Sequence, residues 1–161
     1  MSGNLAKFSV LALVLFTVGC DRVTKHLAAT NLAGVGGFSY LGDTVRLQYA
    51  ENTGAFLSLG ENLPDWLRTG VFVGGVGLLL VAVAVMAVVN RWSGGLLIGV
   101  ALMWAGGLSN LVDRILRGHV VDFINVGVGP VRSGIFNVAD ISIMAGVALI
   151  LFLVRPDAKS N

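Results

Sequence analysis

Apolar residues fall into long runs in this chain, and polar residues gather in the short stretches between them. The first run, 8–20, ends in a charged turn at Asp21, Arg22 and Lys25. Taken alone it is shorter than the roughly 20 residues a bilayer-spanning helix needs, so the charges must lie at the far interface or be paired inside the protein. Asp21 and Lys25 stand at i and i+4, where opposite charges on one helix face neutralise each other. A span over about 5–29 is therefore expected, and three further runs predict spans over about 66–89, 94–111 and 138–154. Asn90-Arg91-Trp92-Ser93 reads as a tight polar turn, with Ser93 as the cap of the third span. Gly70 and Gly74, and likewise Gly95 and Gly99, have a spacing that permits close approach of membrane helices.

Between 31 and 65 the pattern changes to short β-like pieces around 38–40, 45–49 and 55–59, separated by Gly, Asp and Asn. Tyr and Phe in such a segment suit the water–bilayer boundary. A small extramembrane β platform lying on the lipid surface is expected there, and residues 112–137 read as a loop between the third and fourth spans. The predicted fold class is an all-α integral membrane protein, four transmembrane helices carrying a small β platform, as a single membrane domain over 1–161. No internal repeat, long linker or low-complexity segment argues for a second domain.

Composition supports the membrane reading. The chain is 55% hydrophobic and 12% charged with a mean hydropathy of +0.83, against roughly 25% charged residues in a soluble domain. A net charge of +2 without a basic stripe excludes a nucleic-acid partner. The lone Cys20 forms no internal disulfide. Lys7, the apolar run and Gly19 before Cys20 also resemble a secretory cleavage region, and Thr17-Val18-Gly19-Cys20 looks like a weak lipobox. Three following spans, and Thr17 where leucine is usual, favour a retained first helix.

The chemistry concentrates in 106–140, which holds Asp113, Asp122 and Asp140 with Asn110, Arg114, Asn125 and Asn137 among them. Carboxylates at a membrane edge cost several kcal/mol unless they face protein groups or water, so they call for a reason. Asn110 shares a helix face with Asp113 and with Arg114, an arrangement in which Arg114 compensates a carboxylate; an ordinary polar helix end has the same spacing. Asp140 stands near the start of the fourth span, where the helix dipole favours negative charge, and capping alone would explain it. If the third and fourth spans are neighbours, the loop returns Asp122 to Asp140. Two carboxylates in contact share a proton, and such a pair can polarise a carbonyl and activate water. Neither a covalent nucleophile, a metal nor a cofactor is then required.

Other chemistries have thinner support. His119 and Asp122 have a spacing that two metal ligands can use, but a catalytic zinc usually needs three protein ligands. Ser58 and Ser109 lack a recognisable base, and the glycines at 34–37 are too isolated for a phosphate loop. A proton-relay transporter would use the same acids, and an assembly factor would use them only as caps. With three acids present, the residues themselves leave Asp113 a rival for the dyad.

Five motifs in order, Asp21-Arg22-Val23-Thr24-Lys25, Asn52-Thr53-Gly54-Ala55-Phe56, Gly107-Leu108-Ser109-Asn110-Leu111-Val112-Asp113-Arg114, Val120-Val121-Asp122-Phe123 and Phe136-Asn137-Val138-Ala139-Asp140, resemble the bacterial lipoprotein signal peptidases, or signal peptidase II. The resemblance implies an aspartic endopeptidase of the bacterial inner membrane. It would remove the signal peptide from diacylglyceryl-modified prolipoproteins just before the lipidated cysteine. It implies Asp122 and Asp140 as the catalytic dyad near the extracytoplasmic face, and Asn52, Gly54, Asn110, Arg114 and Asn137 as residues lining the site. Asp113 would be a supporting acid, and Asp21 and Lys25 a structural polar pair. The expected partners are prolipoproteins and membrane lipids, with a monomer as the working unit.

Cytoplasmic termini follow from the resemblance and from Lys7, Arg91, Arg155 and Lys159 bracketing the spans. Counting Lys and Arg alone does not support that side, because Arg46, Arg68, Arg114, Arg117 and Arg132 fall on the other. Glycines 127, 129 and 134 suggest that 125–133 is mobile and closes over bound peptide together with the platform.

Overall fold

The computed structural model describes residues 3–54 and 63–153, with side chains from residue 7 onward. The 55–59 piece, the end of the fourth run at 154, and Arg155 and Lys159 lie outside the described residues. Helix α1 (Gly3–Asn31) passes unbroken through the charged turn. A second helical stretch begins with α2 (Asp65–Thr69), passes through a π-helical segment at Gly70–Gly75 and continues as α3 (Val76–Val89). Helices α4 (Gly94–Arg117) and α5 (Val138–Leu153) follow. Asp65–Val89 and Gly94–Arg117 are each long and apolar enough to cross a membrane, and Val138–Leu153 is a shorter apolar helix.

Three expectations about these helices are corrected. Helix α4 continues to Arg117 instead of ending near 111, and closes on Gly118 in the left-handed conformation at φ 77°, a backbone state that glycine adopts without steric cost. Asn110 and Asp113, which their spacing put on one helix face, lie with Ser109 on the inward side of its last turns, where all three are buried. Ser93 precedes α4 but makes no side-chain capping bond. Among the described residues nothing lies within 4 Å of a Cβ on Gly70 or Gly74, whereas a Cβ on Gly95 would meet Leu153 and one on Gly99 would meet Ile150 and Gly146 O.

Close contact between α4 and α5 is thus made by small residues. A Cβ on Gly106 would run into Ala139 O, and one on Gly146 into Gly99 O. In a bilayer, where lipid is as apolar as leucine, such backbone approach supplies the dispersion contact that holds helices together. Helix α3 packs on the other side of α4, with Leu80 against Gly107 and Trp104 Nε1 donating to Leu80 O at 2.9 Å.

The platform is larger than expected. Strands β1 (Phe38–Tyr40) and β2 (Val45–Asn52) are joined by β3 (Val120–Val128) and β4 (Val131–Arg132) in an antiparallel sheet of order β1-β2-β3-β4. The stretch read as a 112–137 loop therefore supplies half of the strands. Residues 125–133, expected to be mobile, form the β3–β4 hairpin of the same sheet. Gly127 is there because a Cβ would overlap Val131 O and Arg132. Arg132 ties the hairpin down, donating to Asn125 Oδ1 and to Asp43 O. Beneath the sheet Ala28, Leu32, Val121 and Phe123 form a small apolar core, with Leu47, Tyr49, Ile124 and Val138 around it. That core seats the start of β3 on the C-terminal half of α1.

Candidate active site

Asp122 enters the site from β3. Its strand is paired with β2 so that Ala50 stands opposite Asp122 and Asn52 opposite Val120. This register brings Asn52 Nδ2 to 3.0 Å from Asp122 Oδ2, while Asn52 Oδ1 accepts the Gly54 N–H at 3.0 Å and shapes the chain beyond the strand. Asp122 is only 3% exposed. Burial pushes its carboxyl above the ordinary value and the neighbouring Asp140 charge adds to that, against hydrogen bonds from Asn52 and Asn137.

Asp140 stands in the first turn of α5. Asn137 Oδ1 accepts the Asp140 N–H at 3.0 Å, and Asp140 Oδ2 accepts the Asn137 N–H at 3.1 Å. That exchange is the reciprocal arrangement of a capping box, built here from Asn and Asp. Capping and site chemistry are therefore not alternatives: the cap fixes the rotamer that presents Asp140 Oδ1 to Asn110 Nδ2 at 2.9 Å. Asn137 also donates its Nδ2 to Asp122 Oδ1 at 2.6 Å. One fully buried asparagine thus touches both acids.

Behind the two acids lies a second polar cluster. Lys25 Nζ is 2.7 Å from Asp21 Oδ2, 2.8 Å from Asp113 Oδ2 and 2.7 Å from Asn110 Oδ1. The expected pairing of Asp21 with Lys25 is present, as part of a larger group. Ser109 Oγ donates to Asp21 Oδ2 at 2.6 Å, and Arg22 pairs with Asp113. Sequence reading missed Ser109 and Arg22. Their i+3 and i+4 neighbours carried no hint, because the contacts join α1 to α4 across about 90 residues of chain.

Arg114 lines the cavity and stands near Asp122 and Asp140 as well as Asp113. The ion pairs of Asp113 are with Arg22 and Lys25. Arg114 donates to Gly54 O and Asn110 O, and its guanidinium lies 5.7 Å from the Phe72 ring centroid. Asp113, fully buried, is not among the residues lining the cavity that the other two acids share.

That cavity, about 290 Å³, is lined by Asn52, Asn110, Arg114, Asp122 and Asp140 at its polar end. Phe72 and Val76 from the second helical stretch, Leu111 from α4 and Ile143 and Met144 from α5 are among the residues lining the remainder. Two acids thus face one apolar-walled space at the junction of α4, α5 and the sheet. His119 lies apart from them, 3.7 Å from Glu51 across the β2–β3 pair. Among the described residues no cluster of three His, Cys, Asp or Glu has the placement of metal ligands.

The sequence model described as signal peptidase (SPase) II matches residues 13–155. The chain belongs to the signal peptidase II family. Its similarity to individual members runs the length of the chain. The lipoprotein signal peptidase of Rhodococcus jostii is 36% identical over 93% of this chain and 72% of its own. That of Salmonella typhi is 35% identical over 94% and 92% respectively. A solved structure described as a bacterial membrane enzyme superposes with a TM-score of 0.78 at 25% identity, covering 95% of this chain and 94% of that one. This signal peptidase II is therefore a hydrolase of lipoprotein processing, with membrane-type helices and a small antiparallel sheet.

Proposed function

We propose that the enzyme is an intramembrane aspartic endopeptidase. It cleaves diacylglyceryl-modified prolipoproteins immediately before the lipidated cysteine, and Asp122 and Asp140 are its catalytic dyad. The observation that carries this reading is Asn137, which contacts both carboxylates at the polar end of one apolar-walled cavity. Burial and the neighbouring charge favour a protonated member. The protonated acid polarises the scissile carbonyl, and its ionised partner takes a proton from water as the water oxygen bonds to carbon. The tetrahedral intermediate then collapses, the C–N bond breaks, and the proton passes to the leaving amine. Asn52, Gly54, Asn110, Arg114 and Asn137 hold the acids and the peptide backbone. Asp113 supports from behind, and Asp21 with Lys25 anchors α1.

The single domain crosses the inner membrane four times in this reading, at α1, Asp65–Val89, α4 and the run that begins with α5. The termini are cytoplasmic, the sheet and dyad lie near the extracytoplasmic face, and one copy of the chain is the working unit. The apolar walls at Phe72, Val76, Ile143 and Met144 suit a substrate whose signal helix and lipid both remain in the bilayer. The test is mass mapping of the products from matched precursors with and without the diacylglyceryl group. Cleavage of the lipidated precursor alone, at the bond before its modified cysteine, supports the proposal. Equal cleavage of both, or cleavage elsewhere, contradicts it.

A further inference from the structure

Asn110 has an amide whose two ends are nearly identical in shape, so its neighbours decide which end points where. On one side is an ammonium, which only donates; on the other a carboxylate, which when ionised only accepts. With Lys25 Nζ 2.7 Å from Oδ1, the Nδ2 end falls 2.9 Å from Asp140 Oδ1. Turning the amide over would set N–H against ammonium and carbonyl against carboxylate. Lys25 is 1% exposed, and the carboxylates of Asp21 and Asp113 already compensate its charge. Its hydrogen bond to the neutral Asn110 is thus an addition to that ion-pair cluster.

We propose that Lys25 is a positioning residue for the dyad: it fixes the polarity of the Asn110 amide so that an N–H faces the Asp140 carboxylate. This rests on the reading of Asp122 and Asp140 as the dyad. Asn137 is set in the same sense, because its Oδ1 takes the Asp140 N–H and its Nδ2 is left for Asp122 Oδ1 and, at 3.3 Å, for Asn110 Oδ1. Donors therefore converge on the dyad from both amides, and the ionised member is stabilised in place. Lys25 also acts through its charge, opposing the burial that raises the Asp122 carboxyl. The other charged groups facing Lys25 and the dyad are Asp21 on α1, Asp113 on α4 with its partner Arg22, and Arg114 on α4.

The experiment is the pH dependence of kcat and KM for wild type and the charge-balanced variant Asp21→Asn/Lys25→Met, with thermal unfolding of each and Asp122→Asn as reference. A folded double variant is expected to lose about 10- to 100-fold in kcat with KM little changed, the scale of a slightly misplaced catalytic group. Its acidic limb is expected to move about one unit to higher pH, because the lost Lys25 and Asp21 charges offset each other while an ionised carboxylate that loses an aimed N–H holds its proton longer. A folded double variant with the wild-type limb overturns the proposal. If that variant does not fold, Asn110→Leu decides: leucine is near in size and brings no N–H to Asp140, and it adds no charge beside that carboxylate. A limb moved upward supports the proposal, and an unmoved limb overturns it. Failure of the dyad itself shows separately, as cleavage by Asp122→Asn.

Discussion

Asp21 Oδ1 accepts the backbone N–H of Ala139 at 2.8 Å, 118 residues further along the chain. A carboxylate of the first helix thus caps the last one at the turn that carries Asp140. Its other oxygen holds Ser109 and Lys25, so α1, α4 and α5 are joined through a single side chain. Replacing Asp21 by Ala leaves Lys25 without one of its two counter-ions and one end of α5 without an acceptor. Breaking a buried pair by removing one partner costs about 3–5 kcal/mol. Thermal unfolding in detergent should show Asp21→Ala strongly destabilised, and an unchanged midpoint would mean that the cluster carries little of the fold.

Glycine positions separate packing from mere composition. Gly106→Ala would drive a methyl group into Ala139 O and Ile143, moving α5 and Asp140 away from Asn110. Overpacking of this kind costs about 1–3 kcal/mol, and activity should fall further than stability because the Asn110–Asp140 contact is lost. Gly70→Ala and Gly74→Ala meet nothing within 4 Å among the described residues and should unfold and cleave like wild type. A scan of the three variants by unfolding midpoint and turnover distinguishes these cases.

Asn52 connects sheet register to chemistry. Asn52→Ala removes the donor to Asp122 Oδ2 and the acceptor for Gly54 N, so kcat should drop by about 10- to 100-fold with the fold retained. Asn52→Asp restores the acceptor but sets a second carboxylate against Asp122, and should be the worse of the two at neutral pH. Steady-state kinetics on both variants checks the order.

Burial raises the Asp122 carboxyl above its ordinary value, and Asp140 adds to the shift. The folded state therefore binds that proton more tightly than the unfolded chain does. Stability from this group is complete below the unfolded value and is lost as pH rises through the higher folded value. Asp122→Asn keeps the shape without the charge but sets an amide N–H against the Asn52 or Asn137 donor, so its stability relative to wild type should be most favourable at pH 8. Any advantage there should shrink toward pH 5. Unfolding midpoints at the two pH values test the sign, and a variant that gains on acidification would reverse it.

The helices were legible because apolar runs declare themselves without knowledge of partners, and Asp21–Lys25 because its partners are one turn apart. The shared helix face of Asn110 and Asp113 was legible from their spacing, but their partners were not: with Ser109 they face a buried cluster built from α1. Strand β3 was hidden because its pairing with β2 joins residues about 70 positions apart, and its buried Asp122 breaks the alternation that marks a strand. Arg22 as the partner of Asp113 was beyond local reading for the same reason. Of the site, the residue types were visible; which of three acids shared a cavity was decided by topology.

The dyad is tested most directly by cleavage of a purified diacylglyceryl-modified prolipoprotein peptide in detergent, with a metal chelator present, by wild type, Asp122→Asn and Asp140→Asn. Cleavage by wild type, lost by at least about 10³-fold in each folded variant, the scale of acid–base catalysis, is the predicted result. Cleavage that survives either substitution, or that the chelator abolishes in wild type, would contradict the aspartic mechanism.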